Sequence, residues 1–150
     1  MKHIDDKNDE ILQVLSRDGK ISNAELADRV GMSPSTCLRR VQDLERSGII
    51  KGYRAVLDRN LQGVGFLAYI TVGLSDHSKT AQEAFERSIS RSSSVRECHN
   101  ITGDAEYLLR VEVPDLTAYK HFHTNVLGDL PQVTSITSYV VMGSPKDERG

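Results

Sequence analysis

Two short amphipathic segments joined by a brief turn constrain the fold of this chain more than any other feature of its sequence. The first, "SNAELADRV", begins with Ser22 and has Glu25 three residues later, which is the pattern of a capping box. It stops before Gly31, a residue type that readily adopts the left-handed conformation of a helix C-cap. The second begins with Ser33 as N-cap and Pro34 at the first helical position, where a missing N–H costs nothing. Two helices separated by so short a turn indicate a helix-turn-helix.

A further helix is predicted ahead of this pair, from about Asp5 to Arg17, and the dipeptide "DG" at 18–19 ends it. Its apolar stripe consists of Ile4, Ile11, Leu12, Val14 and Leu15. We therefore predict that residues 1–50 form a three-helix (winged) helix-turn-helix domain.

The last of the three helices has two contrasting sides. At 100° per residue, Leu38, Val41 and Leu44 share the side that we expect to face the core. The other side carries arginines and small hydroxyl side chains. A solvated face of mixed charge is one interpretation; DNA recognition is the other, because such side chains in the first half of the helix meet base edges in the major groove. Residues 33–54 hold five basic against two acidic side chains, and this local charge matters more for phosphate contact than the net charge of −2.

The side chains of this region are expected to divide their roles on DNA. Ser35, Thr36 and Arg39 are predicted to probe bases. Asp43 lies on the same side, where it either accepts from cytosine or pairs with Arg39 or Arg46. The predicted phosphate contacts are Ser33, Arg40, Arg46, Lys51 and Arg54.

Composition places the chain among ordinary globular proteins and limits other classes. Its 150 residues suit one domain or two small ones, with 38% hydrophobic and 27% charged residues. No apolar run approaches the roughly 18 residues of a membrane helix, and the acidic start "MKHIDDKNDE" resembles no signal peptide, so we expect a cytoplasmic protein without membrane contact. Cys37 and Cys98 are far apart, which favours two buried, reduced thiols over a disulfide framework.

The second half changes to a strand-rich pattern. The order of predicted elements is βαββαβ, a ferredoxin-like unit over residues 64–150, preceded by a strand linker at 51–63. Gly103–Asp104 is predicted to be the hairpin turn between the second and third strands. The segments are 64–74, 94–102, 105–113 and 133–143 for strands, and 78–91 and 115–130 for helices. The predicted fold class is therefore α+β.

One face of the predicted sheet is left open. In "AEYLLRVEV" the odd-numbered residues form an apolar face, whereas Glu106, Leu108, Arg110 and Glu112 form a face too mixed for a core. Because both helices cover the apolar face, pairing with a second sheet would cover the other.

The histidines and cysteines form no recognisable chemical centre. His121 and His123 lie two apart on a helix, so their rings diverge, and Cys98 and His99 point to opposite faces of a strand. The sequence also lacks a phosphate-binding loop and the GxSxG and HExxH motifs. We therefore predict no metal site, no catalytic residues and no enzymatic activity.

The chain resembles the Lrp/AsnC (feast/famine) family of transcription regulators. The stretches that carry this resemblance are "DDKNDEILQVLSRDGKISNAELADRVGMSPSTCLRRVQDLERSGIIKGYRAVLD", "ECHNITGDAEYLLRVEVPDLTAY" and "TSYVVMG". The resemblance implies a DNA-binding domain, an amino-acid-sensing domain, and dimers, commonly assembled into octamers, that bind pseudo-palindromic sites. It also implies an effector between subunits, at Asn100, Thr102, Gly103, Asp104, Glu106, Leu116, Tyr139 and Val140.

One position departs from the family pattern. The family often has aspartate where this chain has Glu106, and the longer carboxylate would shrink or re-aim the pocket. The predicted function is thus a sequence-specific regulator of double-stranded DNA that responds to a small effector, with no cofactor other than an amino acid. The alternatives are an architectural protein that wraps DNA without an effector, and a regulatory module of a partner enzyme without DNA affinity.

Overall fold

Three helices form the first unit of this computed structural model, which describes residues 5–147. They are α1 (Asp6–Arg17), α2 (Asn23–Arg29) and α3 (Pro34–Arg46). Each begins after a polar N-cap whose side chain accepts from a backbone N–H: Asp5 from Asn8, Ser22 from Glu25, and Ser33 from Thr36. The predicted helix-turn-helix is confirmed. Ile4, predicted to belong to the stripe of α1, lies outside the described residues.

The three helices bury one small apolar core. Ile11, Leu26, Ala27, Val30, Cys37 and Leu44 are its buried members, and Val41 packs partly against them. The prediction that Leu38 faces this core is wrong, because 46% of it is exposed. The buried stripe of α3 consists of Cys37, Val41 and Leu44. Leu38 lies at its margin, about 100° from Cys37 around the helix.

The linker predicted at 51–63 forms no strand pairing within residues 5–147 of this chain. Residues 51–58 contain no strand, and residues 59–63 form turns in which Val64 N–H donates to the Arg59 carbonyl at 2.9 Å. A strand needs a neighbour that pairs with its N–H and C=O groups, and no described strand of this chain pairs with 51–58. The chain divides into two units between Ala55 and Val56, inside this segment.

The second unit is a four-stranded antiparallel sheet with helices on one face. The strand order β2-β3-β1-β4 is that of the predicted ferredoxin-like βαββαβ unit, which is confirmed. Its helices are α4 (Lys79–Ser90) and α5 (Leu116–His121), the latter continuing as a π-helical segment at Phe122–Leu127. The strands are β1 (Phe66–Leu74), β2 (Val95–Asn100), β3 (Tyr107–Val113) and β4 (Val133–Val140).

Alternation along the two central strands builds the core of this unit. Ile70 and Val72 of β1 and Leu109 and Val111 of β3 are completely buried. They pack against the helices through side chains that include Phe85, Ile89, Phe122 and Leu127. No helix among residues 5–147 is long and apolar enough to cross a membrane.

The connection between β2 and β3 is wider than predicted. The predicted two-residue turn at Gly103–Asp104 is instead a loop spanning residues 101–106, closed where Ile101 N–H donates to the Glu106 carbonyl at 2.9 Å. Gly103 has φ +119°, a conformation that other residues rarely adopt. Glu106 N–H donates to the Val72 carbonyl at 3.0 Å, which attaches the end of this loop to β1.

Candidate functional site

The exposed side of α3 carries one arginine that has no partner in its own domain. Arg39 is exposed, and its side chain makes no hydrogen bond or ion pair with any of residues 5–147. Ser35 is exposed beside it, and Thr36 is partly buried. The three residues predicted to probe bases therefore lie together in the first half of the helix, where a new donor or acceptor can reach them.

The predicted phosphate contacts differ more from one another. Ser33 is engaged as the N-cap, and its hydroxyl donates to Thr36 Oγ1 at 2.8 Å. Arg46 pairs with Asp43 at 3.0 Å, so within this chain the partner of Asp43 is Arg46 and not Arg39. Both side chains of that pair are more than half exposed. Arg40 is turned toward α1, where its Nη1 lies 2.8 Å from Asp5 Oδ2.

Lys51 and Arg54 follow α3 on an exposed segment that the first unit holds in place. Tyr53, between them, donates from its hydroxyl to Glu45 Oε1 at 2.9 Å. The ring of Tyr53 lies against Gly19, where an added Cβ would be 3.1 Å from Tyr53 Cδ1. Both basic side chains are exposed and make no ion pair within residues 5–147. The segment therefore extends the basic surface of α3.

Two contacts that the sequence analysis missed attach α2 to its neighbours. Lys7 Nζ donates to the Val30 carbonyl at 2.9 Å, at the end of α2. Asn23 Nδ2 donates to the Pro34 carbonyl at 2.9 Å, at the start of α3. These partners are 23 and 11 residues apart, too far for any local pattern to have indicated them.

The predicted effector residues fall into two groups, and the first surrounds the loop at residues 101–106. Asn100 Nδ2 donates to the Glu106 carbonyl at 3.2 Å. Thr102, Gly103 and Asp104 are exposed at the tip of the loop. This group therefore places a carboxylate and a flexible glycine backbone together at one end of the sheet.

The Glu106 carboxylate is already engaged by the end of β1. Its Oε2 accepts from Leu74 N–H at 2.7 Å, and its Oε1 lies 2.9 Å from His77 Nδ1. Gly73 permits close approach here, because an added Cβ would be 2.2 Å from Ser135 Oγ and 3.6 Å from Glu106 Oε2. An isolated glycine inside a strand pattern was the available signal for this approach. Nothing in the sequence pointed to His77.

Leu116, Tyr139 and Val140 form the second group, away from this loop: Leu116 lies beyond the opposite end of β3, and Tyr139 and Val140 lie level with its middle. Leu116 follows the far end of β3, and Val140 pairs with Ala68 near the start of β1. Tyr139 and Val140 lie level with Arg110 and Val111 of β3, about 10–13 Å along the strands from the start of β3 at Tyr107, and on the far side of β1. All three side chains are roughly half exposed or more. One chain therefore does not bring the eight predicted effector residues together.

The open face of the sheet contains a buried charge cluster. Glu112 is 4% exposed in its side chain, and Arg110 Nη1 lies 2.6 Å from its Oε1. Arg59 Nε and Arg96 Nε lie 3.6 and 3.7 Å from its Oε2. Glu106 and Arg110, although they share this face of β3, do not pair with one another, because His77 lies against Glu106 and Glu112 against Arg110. Buried nitrogen atoms of Arg59 and Arg110 lack a hydrogen-bond acceptor within residues 5–147.

The two thiols are free but differ in exposure. Cys37 is buried in the first unit, whereas Cys98 lies exposed on β2, so the prediction that both are buried is wrong for Cys98. Partial desolvation, together with the Glu86 carboxylate, raises the pKa of Cys98 to about 11, which keeps this thiol protonated at neutral pH. Among residues 5–147, no group of three or more His, Cys, Asp or Glu side chains is placed to hold a metal ion.

Comparison with known proteins matches both halves of the chain. The family model described as "Winged helix-turn-helix DNA-binding" matches residues 4–51, and the one described as "Lrp/AsnC ligand binding domain" matches residues 67–150. The leucine-responsive regulatory protein of Escherichia coli (strain K12) is 39% identical over 145 residues, which are 97% of this chain and 88% of that protein.

Two solved structures resemble the whole chain. A transcriptional regulator from Neisseria meningitidis in complex with L-Met is 35% identical, with a TM-score of 0.92 over 97% of this chain and 94% of the other. An AsnC family transcriptional regulator from Agrobacterium tumefaciens is 30% identical, with a TM-score of 0.90 over 95% and 93% of the two chains.

Proposed function

Because this chain belongs to the Lrp/AsnC family of transcription regulators, we propose that it binds specific DNA sequences through α3 and that an amino acid shifts its DNA affinity or assembly. The family consists of regulators and not of enzymes, and the chain has a DNA-binding and a ligand-binding domain. The observation that carries the proposal is the exposed side of α3, where Arg39 has no partner among residues 5–147.

On DNA, α3 lies in the major groove with its first half against the bases. The guanidinium of Arg39 matches the two acceptors on guanine, and the hydroxyls of Ser35 and Thr36 bond to base edges of either kind. Lys51 and Arg54, on the exposed segment after α3, bind phosphates, and Arg46 joins them by exchanging Asp43 for a phosphate oxygen.

The protein acts as a homodimer, and dimers assemble into octamers. A dimer presents two copies of α3 to two half-sites of a pseudo-palindrome, one helical turn of DNA apart. The separation of the two effector groups within one chain supports this assembly. A second chain supplies Leu116, Tyr139 and Val140 to the loop at residues 101–106 of the first, and the effector binds between subunits.

The effector is an amino acid with an apolar side chain. Two relatives support this class: one is named leucine-responsive, and one was solved in complex with L-Met. The exposed Asp104 carboxylate takes the ammonium group, and the backbone around Gly103 approaches the ligand closely. The exposed Leu116, Tyr139 and Val140 contact the apolar side chain. Glu106 is less available to the ammonium group, because Leu74 N–H and His77 already engage its carboxylate.

The test is binding of the purified protein to its own upstream DNA and to random DNA, at several salt concentrations and with each of the twenty amino acids. We expect tighter binding to the upstream DNA and a response to one or a few apolar amino acids. Asp104→Asn is expected to remove that response and leave DNA binding intact, with Asp115→Asn, which keeps its helix cap, as the control.

Three results would contradict parts of the proposal. Equal binding to both DNAs would favour an architectural protein that wraps DNA. Specific binding that no amino acid changes would contradict the proposed amino-acid effector. No DNA affinity would favour a regulatory module of a partner enzyme.

A further inference from the structure

We propose that Asp5 and Arg40 form a positioning pair that fixes the recognition helix α3 against α1, so that Arg40 serves DNA reading through this contact and not as a phosphate ligand. This inference rests on the proposed DNA binding, and it assigns a role to a residue pair 35 positions apart in the sequence. No pattern in the sequence pointed to it, because the pairing depends on how two helices pack.

The contact joins one nitrogen to three oxygens of α1. Arg40 Nη1 donates to Asp5 Oδ1 at 3.0 Å, to Asp5 Oδ2 at 2.8 Å and to Asn8 Oδ1 at 2.9 Å. The side chain of Arg40 is 29% exposed, against 75% for Arg46. The Asp5 side chain is 55% exposed, so the restriction of Arg40 comes from its three charge-assisted hydrogen bonds.

The carboxylate of Asp5 is also ordered by its role as a helix cap. Asp5 is the N-cap of α1, and its Oδ1 accepts from Asn8 N–H at 2.7 Å. Asn8 in turn offers its own Oδ1 to Arg40. The three residues therefore form a closed set of hydrogen bonds, and the ordering of Asp5 for the cap also orders it for Arg40.

The same turn of α1 also holds α2. Lys7 donates to the Val30 carbonyl at the end of that helix. The first turn of α1 thus contacts both helices of the helix-turn-helix, and Arg40 is the contact on the recognition helix itself. Because Arg39 directly precedes Arg40 on α3, any rotation of this helix that breaks the Arg40 contact also displaces the proposed base-reading guanidinium.

Asp5→Asn separates the two roles of Asp5. Asparagine is as good an N-cap as aspartate, so α1 keeps its cap, but the ion pair with Arg40 is lost. Asp9→Asn is the matched control, because it removes the same charge from the same helix at a side chain that bonds only Gln13 among residues 5–147.

We expect Asp5→Asn to weaken binding to the specific site by about five- to tenfold, and to weaken binding to random DNA much less. The slope of log K against log salt should stay within about 0.9 of the wild-type value, the change that one phosphate contact makes. Asp9→Asn should behave as wild type. A variant that merely unfolds would lose both DNAs in the same proportion.

The phosphate role for Arg40 predicts the opposite sign. Removing the Asp5 charge would free the guanidinium and remove a nearby anion, so affinity would rise and the salt slope would steepen; that result would overturn the positioning role. An equal loss on both DNAs, or equal behaviour of Asp5→Asn and Asp9→Asn, would also overturn it.

A double-mutant cycle gives an independent check. If Asp5 acts through Arg40, Asp5→Asn adds little to the loss of specificity caused by Arg40→Ala, whereas additive losses would contradict the pairing. Wild-type protein that does not distinguish specific from random DNA would overturn the proposed function itself, whatever the variants do.

Discussion

The charged residues of the two units are arranged in opposite ways. Arg39 and Arg46 of α3 are exposed and have at most a local partner: Arg46 pairs with Asp43 three residues away, and Arg39 pairs with none of residues 5–147. On the open face of the sheet, Arg110 and Glu112 are each 8% exposed and pair with one another, and Glu112 also draws Arg59 and Arg96 from other segments of the chain. The exposed charges can exchange water for a ligand at little cost, whereas the buried ones are fixed by the fold.

Removal of Glu112 should give the largest effect of this comparison. Glu112→Ala leaves Arg110 buried without its counter-ion, so we expect the free energy of unfolding of the second unit to fall by about 3–5 kcal/mol. Asp43→Ala, which breaks the exposed pair with Arg46, should change stability by no more than about 1 kcal/mol. Urea unfolding of both variants measures the two values.

The same cluster allows a sharper test. Replacing Arg110 and Glu112 together by Met and Leu removes both charges, and much of the stability lost in Glu112→Ala should return. Similar losses for Glu112→Ala and Asp43→Ala would show that burial does not distinguish the two surfaces.

Loss of Arg39 should give the next largest effect, which is on the discrimination between DNA sequences. Arg39→Ala is expected to cost about 1–3 kcal/mol on the specific site and to relax the preference for one base pair. Arg46→Ala is the control on the same helix, because loss of a phosphate contact weakens binding to every DNA alike. Titrations on specific DNA, on single-base variants and on random DNA measure both. A loss of the same size on every DNA would argue against base reading by Arg39.

Loss of Lys51 or Arg54 should be smaller and independent of sequence. Each alanine variant is expected to weaken binding to all DNAs and to reduce the salt slope by about 0.9, the contribution of one phosphate. Lys120→Ala, an exposed lysine of α5 in the second unit, should leave the slope unchanged. If the Lys51 and Arg54 variants have the same salt slope as the wild type, these two side chains do not bind phosphates.

Local signals in the sequence predicted the helices and strands of both units. The features that they did not predict depend on long-range packing. Ser22 and Ser33 cap helices as their patterns indicated, and strand alternation placed Leu109 in the core. The burial of Glu112 depends on Arg59, which is remote in sequence. A strand pattern at 51–58 has the right residue types but no partner strand among the described residues.

The candidate sites divide in the same way. The exposed side of α3 follows from helical periodicity alone, so Ser35 and Arg39 were predicted in their actual arrangement. The effector residues came from a resemblance, and the separation of Gly103 from Tyr139 within one chain depends on strand direction and register. The contact of Glu106 with His77 joins two loops at the end of the sheet, which no periodic pattern encodes.

The smallest expected effect concerns the pH dependence of the Asp5 contact. The Arg40 guanidinium, and then the Asn8 N–H, hold the pKa of the Asp5 carboxyl below its usual value. A carboxyl whose pKa is lower in the folded state stabilises the fold above its unfolded pKa of about 3.9, and this stabilisation is lost as the pH falls through the folded value. Asp5→Asn keeps the cap but does not titrate. The difference in unfolding free energy between wild type and Asp5→Asn should therefore be present at pH 7 and shrink as the solution is acidified below about pH 4. Urea unfolding of both proteins across this range measures it, and a difference that does not vary with pH would mean that Arg40 and Asp5 are not coupled in solution.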